Sequence, residues 1–251
     1  MASEYILQTN GLTKEFKGFT AVNKVDLKVK RGTIHALIGP NGAGKTTCFN
    51  LITKFLQPTA GTILYKDQDI TRTRPHAVAR MGLVRSFQIS AVFPHLTVLE
   101  NVRVALQRAL GTEYHFWRSE RSVDVLNGRA LQLLDDVGVK AYAGLPAVEL
   151  PYGRKRALEI ATTLALDPEM LLLDEPMAGM GAEDIKRTSQ LIRRVAKDRT
   201  VLMVEHNLSV VADLSDRLTV LARGEILAEG AYADVSKNPQ VVEAYMGTGH
   251  E

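Results

Sequence analysis

Residues 39–46 read GPNGAGKT, and residues 170–176 read MLLLDEP. The first matches the pattern G-x-x-x-x-G-K-[ST], whose loop wraps a chain of phosphates. Gly39, Gly42 and Gly44 let the backbone approach phosphate oxygens without a side-chain clash. Pro40, Asn41 and Ala43 complete the loop. Its N–H groups, and those opening the next helix at Lys45, Thr46 and Thr47, favour anions. Lys45 would reach the β- and γ-phosphates, and the Thr46 hydroxyl would ligate Mg²⁺. In the second motif Asp174 would hold Mg²⁺, directly or through water. Glu175 beside it would polarise an attacking water as general base. Asp-Glu-Pro alone is a common turn or helix start. Paired with the glycine-rich loop, it says that the chain binds and splits a nucleoside triphosphate.

Three further residues fit that chemistry. His206 follows the apolar run VLMV in the phrase VEHN, where a strand end would bring it near the γ-phosphate. A histidine at a strand end is otherwise a structural residue. Gln88, in VRSFQ, stands between an α/β part and a helical part, where it can touch Mg²⁺ or water while its loop moves. Phe16 and Phe19 lie upstream of the loop in EFKGFTAV. Phe16 is the candidate for stacking on the base; the alternative is a core or edge-strand aromatic.

These residues need a sheet edge to bring them together. Ile34 to Ile38 reads as a buried strand running into the loop at Gly39 and Pro40. Phe49, Ile52 and Leu56 follow at helical spacing, with Pro58 and Gly61 ending the helix. Upstream, Tyr5 to Leu7 and Val25 to Val29 are short strand candidates around the turn-prone Lys17-Gly18. Downstream, Ala157, Leu158, Ile160, Ala161, Leu164 and Ala165 form one helical stripe. Met170 to Leu173 and Val201 to Val204 read as buried strands, and Ile185 to Ala196 as a helix between them. Leu218 to Leu221 and Ile226 to Ala228 flank Arg223-Gly224 as a hairpin. Such alternation predicts a parallel sheet covered on both faces. Residues 89–150 differ: Leu99 to Leu110 and Arg129 to Val137 are helical, around a charged stretch from Gly111 to Asn127 with Trp117. The expected fold is α/β, with 1–88 and 151–251 as the nucleotide-binding core and 89–150 as an inserted helical lobe.

Bulk properties set limits. The chain has 251 residues, 45% hydrophobic and 24% charged, with a net charge of +3. That composition is ordinary for a globular protein. No long basic run exists, and no nucleic-acid partner is expected. The N-terminus lacks the pattern of a secretory signal, and no stretch approaches the roughly 18 apolar residues that span a bilayer. Cys48 is the only cysteine, which excludes an internal disulfide and fits a small buried residue in a reducing compartment.

The glycine-rich loop, Gln88, a signature-like segment, DEP and His206 occur in the order of ATP-binding cassette (ABC) ATPases, and the resemblance covers essentially the whole chain. AVNKVDL, VFPHLTVLENV, LEIATTLALDPEMLLLDEPMAGM and VLMVEHNLSVV resemble the ATPase subunits of branched-chain amino acid importers, the group called LivG-like. The resemblance implies a RecA-like P-loop core with an N-terminal antiparallel β subdomain and the helical insertion. It implies ATP and Mg²⁺ as ligands and a head-to-tail sandwich with a second ATPase subunit, of the same or another kind. It further implies two membrane permease subunits whose coupling helices press near Gln88, a solute-binding protein acting indirectly, and a peripheral place on the cytoplasmic face of the inner membrane. Urea importers and lipid or lipopolysaccharide exporters are the alternatives. Repair and translation ATPases, with paired cassettes or long coiled-coil insertions, and P-loop kinases fit less well.

Two departures from the family pattern matter. The signature that grips the partner's ATP reads Leu150, Pro151, Tyr152, Gly153, Arg154, with proline in place of the usual serine. Proline removes a hydroxyl and an N–H donor, yet suits a helix start. Gly153 keeps its backbone donor, and Arg154 would supply attraction by charge. Gly181 stands where many members carry an aspartate. Unequal sites are the expectation: ATP on this chain's loop turns over when the partner supplies an intact signature, and ATP on the partner's loop, facing LPYGR, turns over slowly; the alternative is that LPYGR is a working variant.

Overall fold

The computed structural model describes residues 3–86, 92–107 and 125–246. Gln88, Trp117 and most of the charged stretch from Gly111 to Asn127 lie outside them.

Two sheets meet at the glycine-rich loop. The first is antiparallel and contains β1 (Tyr5–Phe16), β2 (Phe19–Val25), β3 (Lys28–Lys30), β5 (Ala60–Tyr65) and β6 (Gln68–Asp69), with β2, β1, β5 and β6 side by side and β3 on β1. Lys17 and Gly18 make the β1–β2 turn, both at positive φ. The second sheet has the order β11 (Glu225–Gly230), β10 (Arg217–Ala222), β4 (Ile34–Ile38), β9 (Thr200–Val204), β8 (Met170–Asp174), β7 (Leu83–Ser86). From β10 to β7 every pairing is parallel, and β11 closes the edge as an antiparallel hairpin. β4 and β9 are buried along their whole length, which explains their unbroken apolar runs.

The helices are α1 (Lys45–Ile52), α2 (Pro75–Arg80), α3 (Val98–Gln107), α4 (Asn127–Asp136), α5 (Tyr152–Leu164), α6 (Ala182–Val195), α7 (Leu208–Leu214), α8 (Tyr232–Val235) and α9 (Pro239–Met246) among the described residues. α3 begins with a capping box: the Thr97 N–H donates to Glu100 Oε2 at 2.7 Å, and the Glu100 N–H donates to Thr97 Oγ1 at 3.2 Å. Val102, Leu106, Ala130, Leu134 and Leu158 bury the contact of α3, α4 and α5 in the same core that lines one face of the parallel sheet. Phe49, Leu51, Ile52 and Leu37 belong to a second core, shared with the antiparallel sheet.

Two local expectations change. The helix after the loop stops at Ile52 and does not reach Leu56. The Thr53 hydroxyl takes the Phe49 carbonyl at 2.7 Å, and Lys54 turns left-handed at φ 66, so the backbone leaves the helix there. The strand expected from Val25 to Val29 is two strands. Val25 pairs with Leu12 while Val29 pairs with Leu7, and Leu27 between them bonds Thr9 instead. The segments β5, β6, β7, α2 and α7 carry weak periodicity and were not foreseen as elements.

Candidate functional site

The glycine-rich loop is held from two sides. A Cβ on Gly39 would lie 2.1 Å from the Leu221 carbonyl oxygen of β10, and one on Gly44 would lie 2.4 Å from the Ala21 carbonyl oxygen of β2. Both glycines also have positive φ, 149° and 98°. Glycine is required at both positions by backbone contact and by conformation together. The β10–β11 turn clamps the loop: the Gly224 N–H donates to the Ala43 carbonyl at 3.1 Å, and the Asn23 N–H donates to the Gly224 carbonyl at 2.8 Å. Gly42, at φ 77°, has open space around it and faces outward.

Lys45 opens α1, and its ammonium folds back into the loop. Nζ donates to the Gly39 carbonyl at 2.7 Å and to the Pro40 carbonyl at 2.9 Å. Burial lowers the pKa of this lysine, with the negative charge of Glu175 opposing the shift. A buried ammonium on two loop carbonyls, at a helix start whose N–H groups favour anions, suits a phosphate chain. Thr46 is exposed and Thr47 half-buried on the first turn of α1.

Because β4, β9 and β8 are adjacent and parallel, their C-terminal ends share one edge with the loop. The Glu175 N–H donates to the Val204 carbonyl at 3.0 Å, which extends the β8–β9 pairing by one residue. Glu175 sits at φ 45°, in the left-handed region that non-glycine residues rarely adopt. Its Oε1 lies 2.7 Å from His206 Nε2. The Asp174 carboxylate pairs with Arg85 of β7, whose other terminal nitrogen donates to Asn50 Oδ1 at 2.6 Å. Among the described residues no three His, Cys, Asp or Glu side chains gather to cage a metal ion. One carboxylate at Asp174 and one hydroxyl at Thr46 suit Mg²⁺, which takes few protein ligands and completes its shell with phosphate oxygens and water.

Four residues at this edge went unremarked in the sequence. Glu205 is buried and accepts from the N–H groups of Met177 at 2.9 Å, His206 at 3.0 Å and Asn207 at 3.2 Å. It ties the loop after Glu175 to the loop that carries His206. Arg156 pairs with the buried Glu159 and donates to the Asp174 carbonyl at 3.3 Å. Arg85 and Tyr245 of α9 are the others; burial raises the pKa of the Tyr245 phenol, and the Gly39 backbone opposes the shift. The acid before His206 and the arginines near the motifs were visible, but nothing in their spacing marked their partners.

The remaining candidates lie elsewhere. Phe16 is at the tip of the β1–β2 hairpin, part-exposed, with Lys14 Nζ 5.1 Å from its ring centre. Leu150 is buried, and Pro151 is the N-cap of α5 without a side-chain bond. The Tyr152 hydroxyl donates to the Ala178 carbonyl at 2.9 Å. Gly153 faces the Asp184 carboxylate so closely that a Cβ would lie 2.6 Å from it. Arg154, the candidate for attracting the partner's phosphate by charge, is engaged within the chain. It donates to the Gly138 carbonyl at 2.9 Å and lies 5.5 Å from the Tyr142 ring centre. No bond joins the Leu150–Arg154 segment to the glycine-rich loop among the described residues.

Comparison with known proteins agrees with this geometry. A model of the ABC transporter family matches residues 22–178, and one described as branched-chain amino acid ATP-binding cassette transporter matches residues 225–251. The high-affinity branched-chain amino acid transport ATP-binding protein LivG of Escherichia coli K12 is 39% identical, covering 98% of this chain and 99% of that protein. The probable branched-chain amino acid transport ATP-binding protein LivG of Archaeoglobus fulgidus is 35% identical over 96% of the chain and 95% of its own length. The ADP conformation of MJ1267, an ATP-binding cassette of an ABC transporter, superimposes with a TM-score of 0.86 and 31% identity, over 98% of this chain and 100% of that one. Shared motifs, shared fold and matching length lead to one conclusion: the chain belongs to the ABC transporter family as one of its ATP-hydrolysing subunits.

Proposed function

We propose that this ATPase powers the import of branched-chain or closely related amino acids. The observation that carries the reading is the match of residues 225–251 to the branched-chain model, joined to 39% identity with LivG along nearly the whole chain. It favours amino acids over urea and over lipid or lipopolysaccharide export.

In this reading residues 1–88 and 151–251 form the nucleotide-binding core and 89–150 the helical lobe. The glycine-rich loop from Gly39 to Thr47 cradles the phosphates, and Lys45 exchanges two carbonyls for phosphate oxygens. Phe16 stacks on the base. Thr46, Asp174 and Gln88 hold Mg²⁺, which when bound neutralises charge on the phosphate oxygens. Glu175 takes the proton of the attacking water, and His206 orients the Glu175 carboxylate through their 2.7 Å contact. Leu150 to Arg154 meets the nucleotide of a second ATPase subunit through the N–H groups of Tyr152 and Gly153 at the start of α5, positions that a helix leaves without an internal partner. Two permease subunits dock on the helical side, a solute-binding protein delivers the cargo, and the chain sits peripherally on the cytoplasmic membrane face.

The test is reconstitution. The chain is combined in liposomes with the permeases, second ATPase and binding protein encoded beside it. Leucine, isoleucine or valine is expected to stimulate ATP hydrolysis and to accumulate. Stimulation by urea alone, or by none of these solutes, overturns the reading.

A further inference from the structure

An apolar groove runs beside the nucleotide edge, with Phe55, Phe93, Val104, Arg85 and Glu159 in its wall. Arg85 also belongs to the nucleotide edge. Its guanidinium pairs with the Asp174 carboxylate, donates to Asn50 of α1 and lies 5.8 Å from the centre of the Phe49 ring. β7 pairs with β8 in register, Arg85 opposite Leu172, so the arginine is rooted on the strand beside the one that ends in Asp174. Its side chain is only 12% exposed and that of Asp174 14%. One side chain is thus shared by the groove wall and the carboxylate.

We propose that Arg85 is a positioning residue that fixes the Asp174 carboxylate and holds down its divalent-ion affinity. The inference rests on the reading of Asp174 as a metal ligand. A guanidinium on one carboxylate oxygen fixes its rotamer and leaves the other oxygen for a cation. The fixed positive charge also repels that cation.

The test is Mn²⁺ binding to the ADP-bound chain, read by the EPR signal of free Mn²⁺. Arg85→Gln is expected to tighten Mn²⁺ by roughly three- to tenfold, from removal of one charge several ångströms away in a partly wet site. Arg85→Lys keeps the charge and is expected to stay near wild type, which separates charge from fold damage. Asp174→Asn is expected to weaken Mn²⁺. If Asp174→Asn leaves binding unchanged, the metal-ligand reading fails and this inference with it. If Asp174→Asn weakens binding while Arg85→Gln does not tighten it, the inference alone fails.

Discussion

Glu175 and His206 come from different strands and meet at 2.7 Å, Oε1 to Nε2. The contact survives because Glu205 bonds the backbone on both sides, at Met177 and at His206. A carboxylate held this way at φ 45° has its direction set before any substrate arrives, which suits the proposed general base.

Replacing that base isolates its role. Glu175→Gln keeps shape and hydrogen bonding but cannot take a proton. ATP hydrolysis in the assembled transporter is expected to fall by about 10²–10⁴-fold, with ATP affinity nearly unchanged. Retention of near-normal turnover would falsify the assignment.

Gly44 carries the second prediction. In Gly44→Ala the new methyl meets the Ala21 carbonyl at a site whose φ is already 98°. A loss of about 2 kcal/mol or more in stability is expected, together with loss of nucleotide binding. Denaturant unfolding and fluorescent-nucleotide titration read the two effects. Gly128→Ala, in α4 with open space around it, is the control and is expected to bind normally.

Pro151 caps α5 without a side-chain bond. Pro151→Ser supplies an acceptor for the first turn and is expected to stabilise the chain by about 1 kcal/mol. In the Glu175→Gln background it is also expected to promote an MgATP-dependent dimer, by roughly tenfold or more in concentration, because a hydroxyl can now reach the partner's phosphate. Light scattering across a concentration series checks this. Identical dimerisation with and without the serine would mean that LPYGR already grips phosphate, and the expected inequality of the two sites would fall.

His35 predicts how stability follows pH. It is buried in β4 against Thr219, and burial, with the charge of Arg217 adding, lowers its pKa to about 4. The unfolded chain takes up this proton near pH 6.5 and the folded chain does not. The unfolded state therefore binds more protons between about pH 6.5 and 4, and this residue makes stability fall as pH falls through that window. Over about 2.5 pH units the loss approaches 3 kcal/mol. His35→Gln is expected to flatten that part of the curve of unfolding free energy against pH, and an unchanged slope would show that other groups set it.

The contrast between foreseen and unforeseen residues has a physical cause. Strands β4, β8 and β9 are buried on both faces, so Ile34–Ile38, Met170–Asp174 and Thr200–Val204 announce themselves as apolar runs. The glycine-rich loop is legible because its backbone tolerates only certain residues at Gly39 and Gly44. Arg85, Arg156 and Glu205 were illegible because their importance lies in partners far away in sequence. Arg154 is half-legible for the same reason: its charge is visible in the sequence, but the Gly138 carbonyl and the Tyr142 ring that hold it are not. β5 is hard to read because it opens on the weak strand formers Ala60 and Gly61, and β7 because it is a sheet edge only four residues long.

The strand that launches the glycine-rich loop has no early neighbour. His35 of β4 pairs with Leu202 on one side and Arg217 on the other, and the loop's clamp at Gly224 follows still later. During synthesis the loop leaves the ribosome with only its β2 side to close on. Contacts this distant along the chain form slowly and leave apolar strands waiting. A ribosome-bound chain stalled before Gly224 should therefore be blind to ATP, and one released past the β10–β11 hairpin should acquire binding in a single late step. The nucleotide can then reward only finished molecules, which makes ATP itself an inspector of complete synthesis.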